Sequence, residues 1–309
     1  MKILVTGGAG FIGSYLTKRL VELKHEVIVV DSFESGNYKN LRTIHNKINI
    51  CKGNILDTTL VSKVISQIDV IFHLAAKTTV SQSNGNKELY NLVNTEGTQL
   101  LLNQAKRCGV KKFIFASSAA IYGNQDDISL CESVKPKPIS PLGTSKLNAE
   151  KHCVVYRNKG LDVIILRFFN VYGYGQNPNF SGAISNLVKC IHANKTFSIY
   201  GDGEQTRDFV YIDDVVNACI QCLTIKTNKN YIFNIASGTG LSINKLKNMT
   251  EELTKKNIKV QCKSHRMGEI YYSRACICNA YKYLNYKPKI SLQKGLEKTI
   301  TRYKDTHKL

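Results

Sequence analysis

Residues 2–25, KILVTGGAGFIGSYLTKRLVELKH, constrain the fold more than any other part of the chain. A run rich in aliphatic residues, suited to a buried parallel strand, leads straight into glycines at 7, 8, 10 and 13. Phe11, Ile12, Leu16, Leu20 and Leu23 then recur along one helical face. Strand, glycine turn and helix in that order predict a dinucleotide site. Gly8 makes the tight turn, Gly10 lets backbone approach a pyrophosphate, and Gly13 lets helix pack on strand. The helix N-terminus offers free N–H groups and a positive dipole end to phosphate. A second strand, EVIVVD, ends in Asp31, at the spacing of an acid that holds a ribose 2′-hydroxyl. An acid there repels the extra phosphate of NADP, and the following SFESG carries no arginine, so NAD is the expected cofactor.

Further strands, INICKGNI, DVIFHLAA, KKFIFASS and DVIILRFF, follow at βαβ spacing with helical stretches between them. The fold class is therefore α/β, a Rossmann-type doubly wound parallel sheet, and the sharpest breaks fall near VYGYGQNPN and IYGDGEQTRD. The opening MKILVTGGAGFIG reads as neither a signal peptide nor a membrane span, and no later apolar run approaches the roughly 18 residues that crossing a bilayer needs. A cytoplasmic protein is expected. Ten scattered cysteines then read as free thiols. Cys219 and Cys222 with Cys276 and Cys278 could suggest zinc, but VVNACIQCL has the apolar period of a buried helix, so no metal is expected. A net charge of +20 raises the question of nucleic acid. The lysines are spread along the whole chain with no tryptophan and no basic tail, which favours an anionic small substrate over DNA or RNA.

Nine motifs stand in chain order: TGGAGFIGS, FHLAA, NTEGT, SSAAIYG, GTSKLNAE, RFFNVYG, GDGEQTRDFVYIDDV, FNIASG and HRMGE. With them the chain resembles the NAD-dependent nucleotide-sugar epimerase/dehydratase family of extended short-chain dehydrogenases, the group related to UDP-glucose 4-epimerase. The resemblance implies transient oxidation of a sugar carbon to a keto intermediate. It also implies a tyrosine base whose pKa is depressed by a lysine one helical turn later. Lys146 matches that lysine, and Ser118 matches the hydroxyl that bonds the reacting oxygen. The tyrosine position holds Leu142. Ala119 and Ala120 stand where the dehydratase branch carries Asp-Glu, which disfavours dehydration.

By the same resemblance the cofactor is held by Gly7, Gly8, Gly10, Phe11, Ile12, Gly13, Asp31, Asn54, Ile55, Leu74, Ala75, Ala76, Asn94, Ser117 and Lys146. Substrate is held by Ser118, Asn170, Arg207 and Arg266. His73 is expected as a packed residue, and Lys77 either near the pyrophosphate or in solvent. The implied division is an NAD-binding part, 1–168 with 208–238 returning to it, and a smaller nucleotide-sugar lobe, 169–207 and 239–309. A homodimer is implied as well. Two readings of position 142 stay open. Either another group supplies the base, Ser118 with water and Lys146 or a tyrosine such as Tyr172 or Tyr174, or the chain binds NAD and a nucleotide-sugar without full turnover. A dehydratase or reductase is the remaining alternative.

Overall fold

The computed structural model describes residues 1–126, 128–177, 182–226, 231–265 and 268–306. Six strands carry the first half: β1 Lys2–Thr6, β2 Glu26–Asp31, β3 Ile48–Lys52, β4 Val70–His73, β5 Lys112–Ser118 and β6 Asp162–Phe168. Six more follow: β7 Asn170–Tyr172, β8 Phe197–Tyr200, β9 Thr206–Tyr211, β10 Ile232–Ile235, β11 Gly240–Ser242 and β12 Val260–Lys263. The large sheet is parallel throughout, in the order β3-β2-β1-β4-β5-β6-β10.

Alternation along each strand sends side chains to two separate cores. Ile3, Val5, Phe72, Ile114 and Leu166 pack on one face, beneath the helices Phe11–Glu22 and Ile212–Gln221. Leu4, Ile71, Phe113, Phe115 and Ile165 pack on the other, against Thr58–Ile65, Gly97–Arg107 and Pro141–Asn158. Leu23 departs from the expected apolar face. The first helix ends there, and Lys24 takes a left-handed φ of 59° that reverses the chain towards β2. Leu23 is left 38% exposed.

The later strands build a second layer of small sheets. β9 pairs parallel to β7 and antiparallel to β11, while β8 and β12 pair with each other. The chain comes back to the large sheet through the helix Ile212–Gln221, which packs on Phe11–Glu22, and through β10, which adds to the edge at β6. Residues 208–211 complete β9 of the small sheet first. Cys219 and Cys222 are buried at this helix. Among the described residues no group of histidine, cysteine and carboxylate side chains is arranged to hold a metal ion, and no helix is long and apolar enough to cross a membrane.

Strand order reverses between β1 and β4. In an open parallel sheet the loops leaving the carboxyl ends of strands diverge at such a point and open a crevice. A cleft of about 1040 Å³ lies there, running from the glycine turn after β1 to β9 of the small sheet.

Candidate active site

The glycine turn divides its labour differently from the sequence expectation. Gly7, not Gly8, makes the turn, with φ +71°, and a Cβ on it would come within 2.7 Å of the Ala75 backbone nitrogen. Gly8 faces away from the cleft into Val29, where a Cβ would meet the valine methyl at 2.7 Å. Gly10 is the N-cap and supplies no side chain to the first helical turn, so the N–H groups at that end face the cleft beside Phe11 and Ile12 uncapped by a side chain. At Gly13 a Cβ would strike the Gly7 carbonyl oxygen at 2.1 Å. Asp31, at the end of β2, accepts from the Ala9 and Phe33 N–H groups, each at 2.8 Å, which fixes its carboxylate on the cleft wall. Asn54 turns its amide oxygen to the Leu56 N–H (3.0 Å). Ile55, Leu74, Ala75 and Ala76 complete this half of the cleft, together with Lys77, which pairs with Glu34.

The helix Pro141–Asn158 starts as its sequence predicts. Ser140 is the N-cap, its Oγ accepting from the Gly143 N–H at 3.1 Å, and Pro141 occupies the first position, where its missing N–H costs nothing. Leu142 and Lys146, one turn apart, both line the cleft, as does Ser118 at the end of β5. Lys146 is 4% exposed, and its ammonium donates to the Ala116 carbonyl at 2.7 Å and sits 4.8 Å over the Phe115 ring. Burial lowers its pKa to about 8, with Cys153 and Glu150 opposing the shift. Ser118 Oγ accepts from the Ala120 N–H at 3.1 Å, which leaves its own proton to donate. The Ser117 hydroxyl is committed elsewhere, to Glu150 at 2.5 Å.

Asn94 neither lines the cleft nor caps a helix. It sits in a π-helical turn, Leu92–Glu96, where its amide exchanges bonds with the Lys77 backbone (2.8 and 3.0 Å) and donates to Ser145 Oγ (3.0 Å). Ser145 in turn donates to the Leu142 carbonyl at 2.9 Å. Asn94 thus braces the turn that carries Leu142 and Lys146 from behind. Nothing in local sequence announced Ser145, because its role exists only once two distant segments meet.

His73 is buried between two threonines, Nδ1 2.7 Å from Thr6 Oγ1 and Nε2 2.9 Å from Thr98 Oγ1. Since the Thr98 hydroxyl donates to the Asn94 carbonyl at 2.6 Å, it accepts from Nε2–H, which leaves Nδ1 the acceptor of a neutral ring. Burial, and then the charge of Lys146, push its pKa from 6.5 down to about 3. The unfolded chain binds this proton below about pH 6.5 and the folded one only near 3, so stability from this group falls as pH drops between those values. Replacing His73 with glutamine removes that part of the acid loss. Urea unfolding at pH 7 and pH 4 is expected to show a smaller decrease for the variant than for the parent, and equal decreases would refute the assignment.

On the substrate side Asn170 opens β7 and Arg207 lies on β9, both on the cleft wall. Arg207 donates to the Thr206 carbonyl at 2.8 Å, and among the described residues no carboxylate stands within ion-pair distance of it. Asp208 instead accepts from Ser237, Gly238 and Ala275. Desolvation lowers the Arg207 pKa, partly offset by Glu269, which also lines the cleft, and a guanidinium in that position favours an incoming anion. Gln205, two residues before it, also lines the cleft. It gives its amide N–H to the Tyr200 carbonyl (2.7 Å), and among the described residues its buried oxygen has no partner. Arg266 lies outside the described residues.

The two tyrosines considered as replacement bases are not placed for that work. Tyr172 donates its hydroxyl to the Leu292 carbonyl at 3.2 Å, and burial followed by the charges of Tyr211 and Asp214 raise its pKa. Tyr174 stays off the cleft, its carbonyl accepting from Tyr15.

The sequence model of the NAD dependent epimerase/dehydratase family matches residues 3–236. A Bacillus subtilis (strain 168) protein described as an uncharacterized UDP-glucose epimerase is 36% identical, over 97% of this chain and 97% of its own. The UDP-glucose 4-epimerase of Thermotoga maritima, solved with UDP-glucose, has a TM-score of 0.95 and 35% identity over 99% of both chains. The UDP-glucuronic acid 4-epimerase of Bacillus cereus, solved in complex with UDP-glucuronic acid and NAD, has a TM-score of 0.92 and 35% identity, over 99% of this chain and 100% of that one.

Proposed function

Because this chain belongs to the NAD dependent epimerase/dehydratase family, we propose that it binds NAD at the glycine turn and a nucleotide-sugar beyond it, and acts as a 4-epimerase-like enzyme on UDP-hexoses. One observation carries the reading. A single cleft joins the side-chain-uncapped helix end and Asp31 to Ser118, Leu142 and Lys146, and continues to Asn170 and Arg207.

The residues fit the cofactor. Gly7 and Gly13 let the turn close tightly on Ala75 and on its own backbone, where any Cβ would clash, and the helix end at Phe11 and Ile12 offers N–H groups to a pyrophosphate. Asp31 receives a ribose hydroxyl and disfavours a 2′-phosphate. When bound, NAD supplies a hydride acceptor that can return the hydride to the other face of the sugar. The chain's own groups hold the sugar oxygen and handle its proton. Ser118 donates to that oxygen, and Lys146 places positive charge beneath the site, where it favours the deprotonated form. Arg207 holds the diphosphate and Asn170 contacts the sugar nucleotide next to it. Pairing into a homodimer and residence in the cytoplasm belong to the same reading.

Leu142 favours a second reading beside it, an NAD- and nucleotide-sugar-binding relative with weak or no turnover, since leucine can neither give nor take a proton. One experiment separates them. The protein is incubated with NAD and UDP-glucose, UDP-galactose, UDP-GlcNAc or UDP-GalNAc, and the anomeric protons are followed by NMR over hours. Appearance of the 4-epimer supports the enzyme. Calorimetric binding with no conversion supports the binding protein, and absence of both overturns the proposal.

A further inference from the structure

The loop between β5 and the helix Pro141–Asn158 meets the C-terminal segment at one isolated parallel bridge, Leu130 opposite Ala275. The Leu130 N–H donates to the Arg274 carbonyl at 2.8 Å, and the Cys276 N–H to the Leu130 carbonyl at 2.9 Å. The next pair in register is therefore Cys131 beside Cys276. Parallel strands lie about 4.8 Å apart, inside the roughly 4.4–6.8 Å between Cα atoms that a disulfide spans. The Cys276 thiol interacts with the thiols of both Cys131 and Cys278, and all three have some exposure. Three interacting thiols drawn from two segments go beyond what core packing requires. Cys153, Cys219 and Cys222, by contrast, are buried in apolar surroundings.

We infer that Cys131 and Cys276 form a reversible disulfide centre, with Cys278 as the neighbouring thiol beside Cys276, that ties the loop leading to Leu142 to the adjoining segment that lines the cleft. The chemistry favours Cys276 as the attacking group. Burial would raise its pKa, but the Cys278 backbone and the neighbouring Cys278 and Cys131 thiols bring it below the ordinary value, while the Cys131 thiol, which donates to the Ser129 carbonyl at 3.7 Å, is pushed up to about 11, chiefly by burial. Attack of the Cys276 thiolate on a low-molecular-weight disulfide forms a mixed disulfide and expels one thiolate. Cys131 then gives up its proton and displaces the second. Two protein thiols are oxidised, and the external disulfide is reduced to two thiols.

The consequence falls on the cleft. Gly268, Glu269, Ile270 and Ser273 line it, just before Cys276, and the loop bearing Cys131 runs directly into Ser140. A covalent tie holds these two walls at a fixed distance. This consequence rests on the nucleotide-sugar reading of the cleft, whereas the thiol chemistry does not.

The test equilibrates the full chain in glutathione buffers from reducing to oxidising and maps the disulfides by mass spectrometry of peptides. A Cys131–Cys276 linked pair is expected before any other, lost in Cys131→Ser and in Cys276→Ser, and formed more slowly in Cys278→Ser. Glutathionylation spread evenly over Cys276 and the exposed Cys108 and Cys262, with no linked pair, overturns the centre. Calorimetry with UDP is run on the reduced and oxidised protein, and Kd is expected to change at least threefold and to recover with dithiothreitol. A linked pair with unchanged Kd overturns the tie to the cleft. Absence of UDP binding by the reduced protein counts against the nucleotide-sugar reading and leaves the peptide map to decide the thiol centre.

Discussion

Replacing Leu142 with tyrosine is expected to raise turnover of a UDP-hexose at least tenfold. Side chains four residues apart on a helix are neighbours, so a phenol at 142 stands on the same face as the Lys146 ammonium, and both positions line the cleft. A phenol with an ordinary pKa near 10 is a poor base at neutral pH, and a cation one turn away lowers that value. A positioned general base contributes about a hundredfold to ten-thousandfold, roughly 3–5 kcal/mol of barrier. The backbone needs no repair, because Ser140, Pro141 and Ser145 already fix the turn. The check is kcat for the parent and the variant at saturating substrate, with NAD binding measured on both. A variant no faster than the parent, with cofactor still bound, would mean that another group already serves as base or that the pocket has taken up other chemistry.

The second large effect is on stability. Replacing Arg167 with methionine is expected to cost about 3–5 kcal/mol, since it strands a buried carboxylate. Glu150 and Arg167 are 4% exposed, and two bonds join them: Nε to Oε1 at 3.0 Å and Nη2 to Oε2 at 2.8 Å. Burial alone would lower the pKa of the guanidinium, but the hydrogen bonds and charge of Glu150 outweigh it and raise it. The pair is the centre of a wider frame. Arg167 also donates to the Tyr122 hydroxyl (2.9 Å) and the Glu132 carbonyl (3.2 Å). Tyr122 donates to Asn234 (2.7 Å), and Asn234 reaches the Leu130 carbonyl (2.8 Å). This one network ties β5, β6, β10, the active-site helix and the loop bearing Cys131. Urea unfolding of Arg167→Met, Glu150→Met and the double variant checks the reading. Each single change should lose several kcal/mol, and the double should recover much of that, because no charge is left unpaired. A single loss below about 1 kcal/mol would show that the pair is not buried as described.

Much of the cleft was legible in the sequence because its parts are local. The glycine turn, Asp31 at the end of a β-branched run, the Ser-Pro start of the long helix and the Leu142 to Lys146 spacing each depend on a few consecutive residues. Backbone preference and periodicity report on residues at that range. Gly7 and Gly8 show the limit. Both glycines are adjacent in sequence, and only the positions of Ala75 and Val29 decide which one turns and which one packs. Asn94 shows it again, since the bonds of its amide to Lys77 and Ser145 exist only once distant segments meet.

The sequence by itself determined the parallel sheet with its glycine-turn cleft, the family, and a leucine at position 142 one helical turn before Lys146. These follow from residue type and short spacing, which the chain carries wherever it folds. Only the tertiary structure decided that the Tyr172 hydroxyl is given to the Leu292 carbonyl and that the Tyr174 carbonyl takes the Tyr15 hydroxyl, that Arg207 has no carboxylate partner among the described residues, that Glu150 pairs with Arg167, and that the Leu130–Ala275 bridge brings Cys131 beside Cys276. The reason is physical. Burial, desolvation and hydrogen-bond satisfaction depend on what lies across space, and the partners here are separated by 17 to 159 residues of chain.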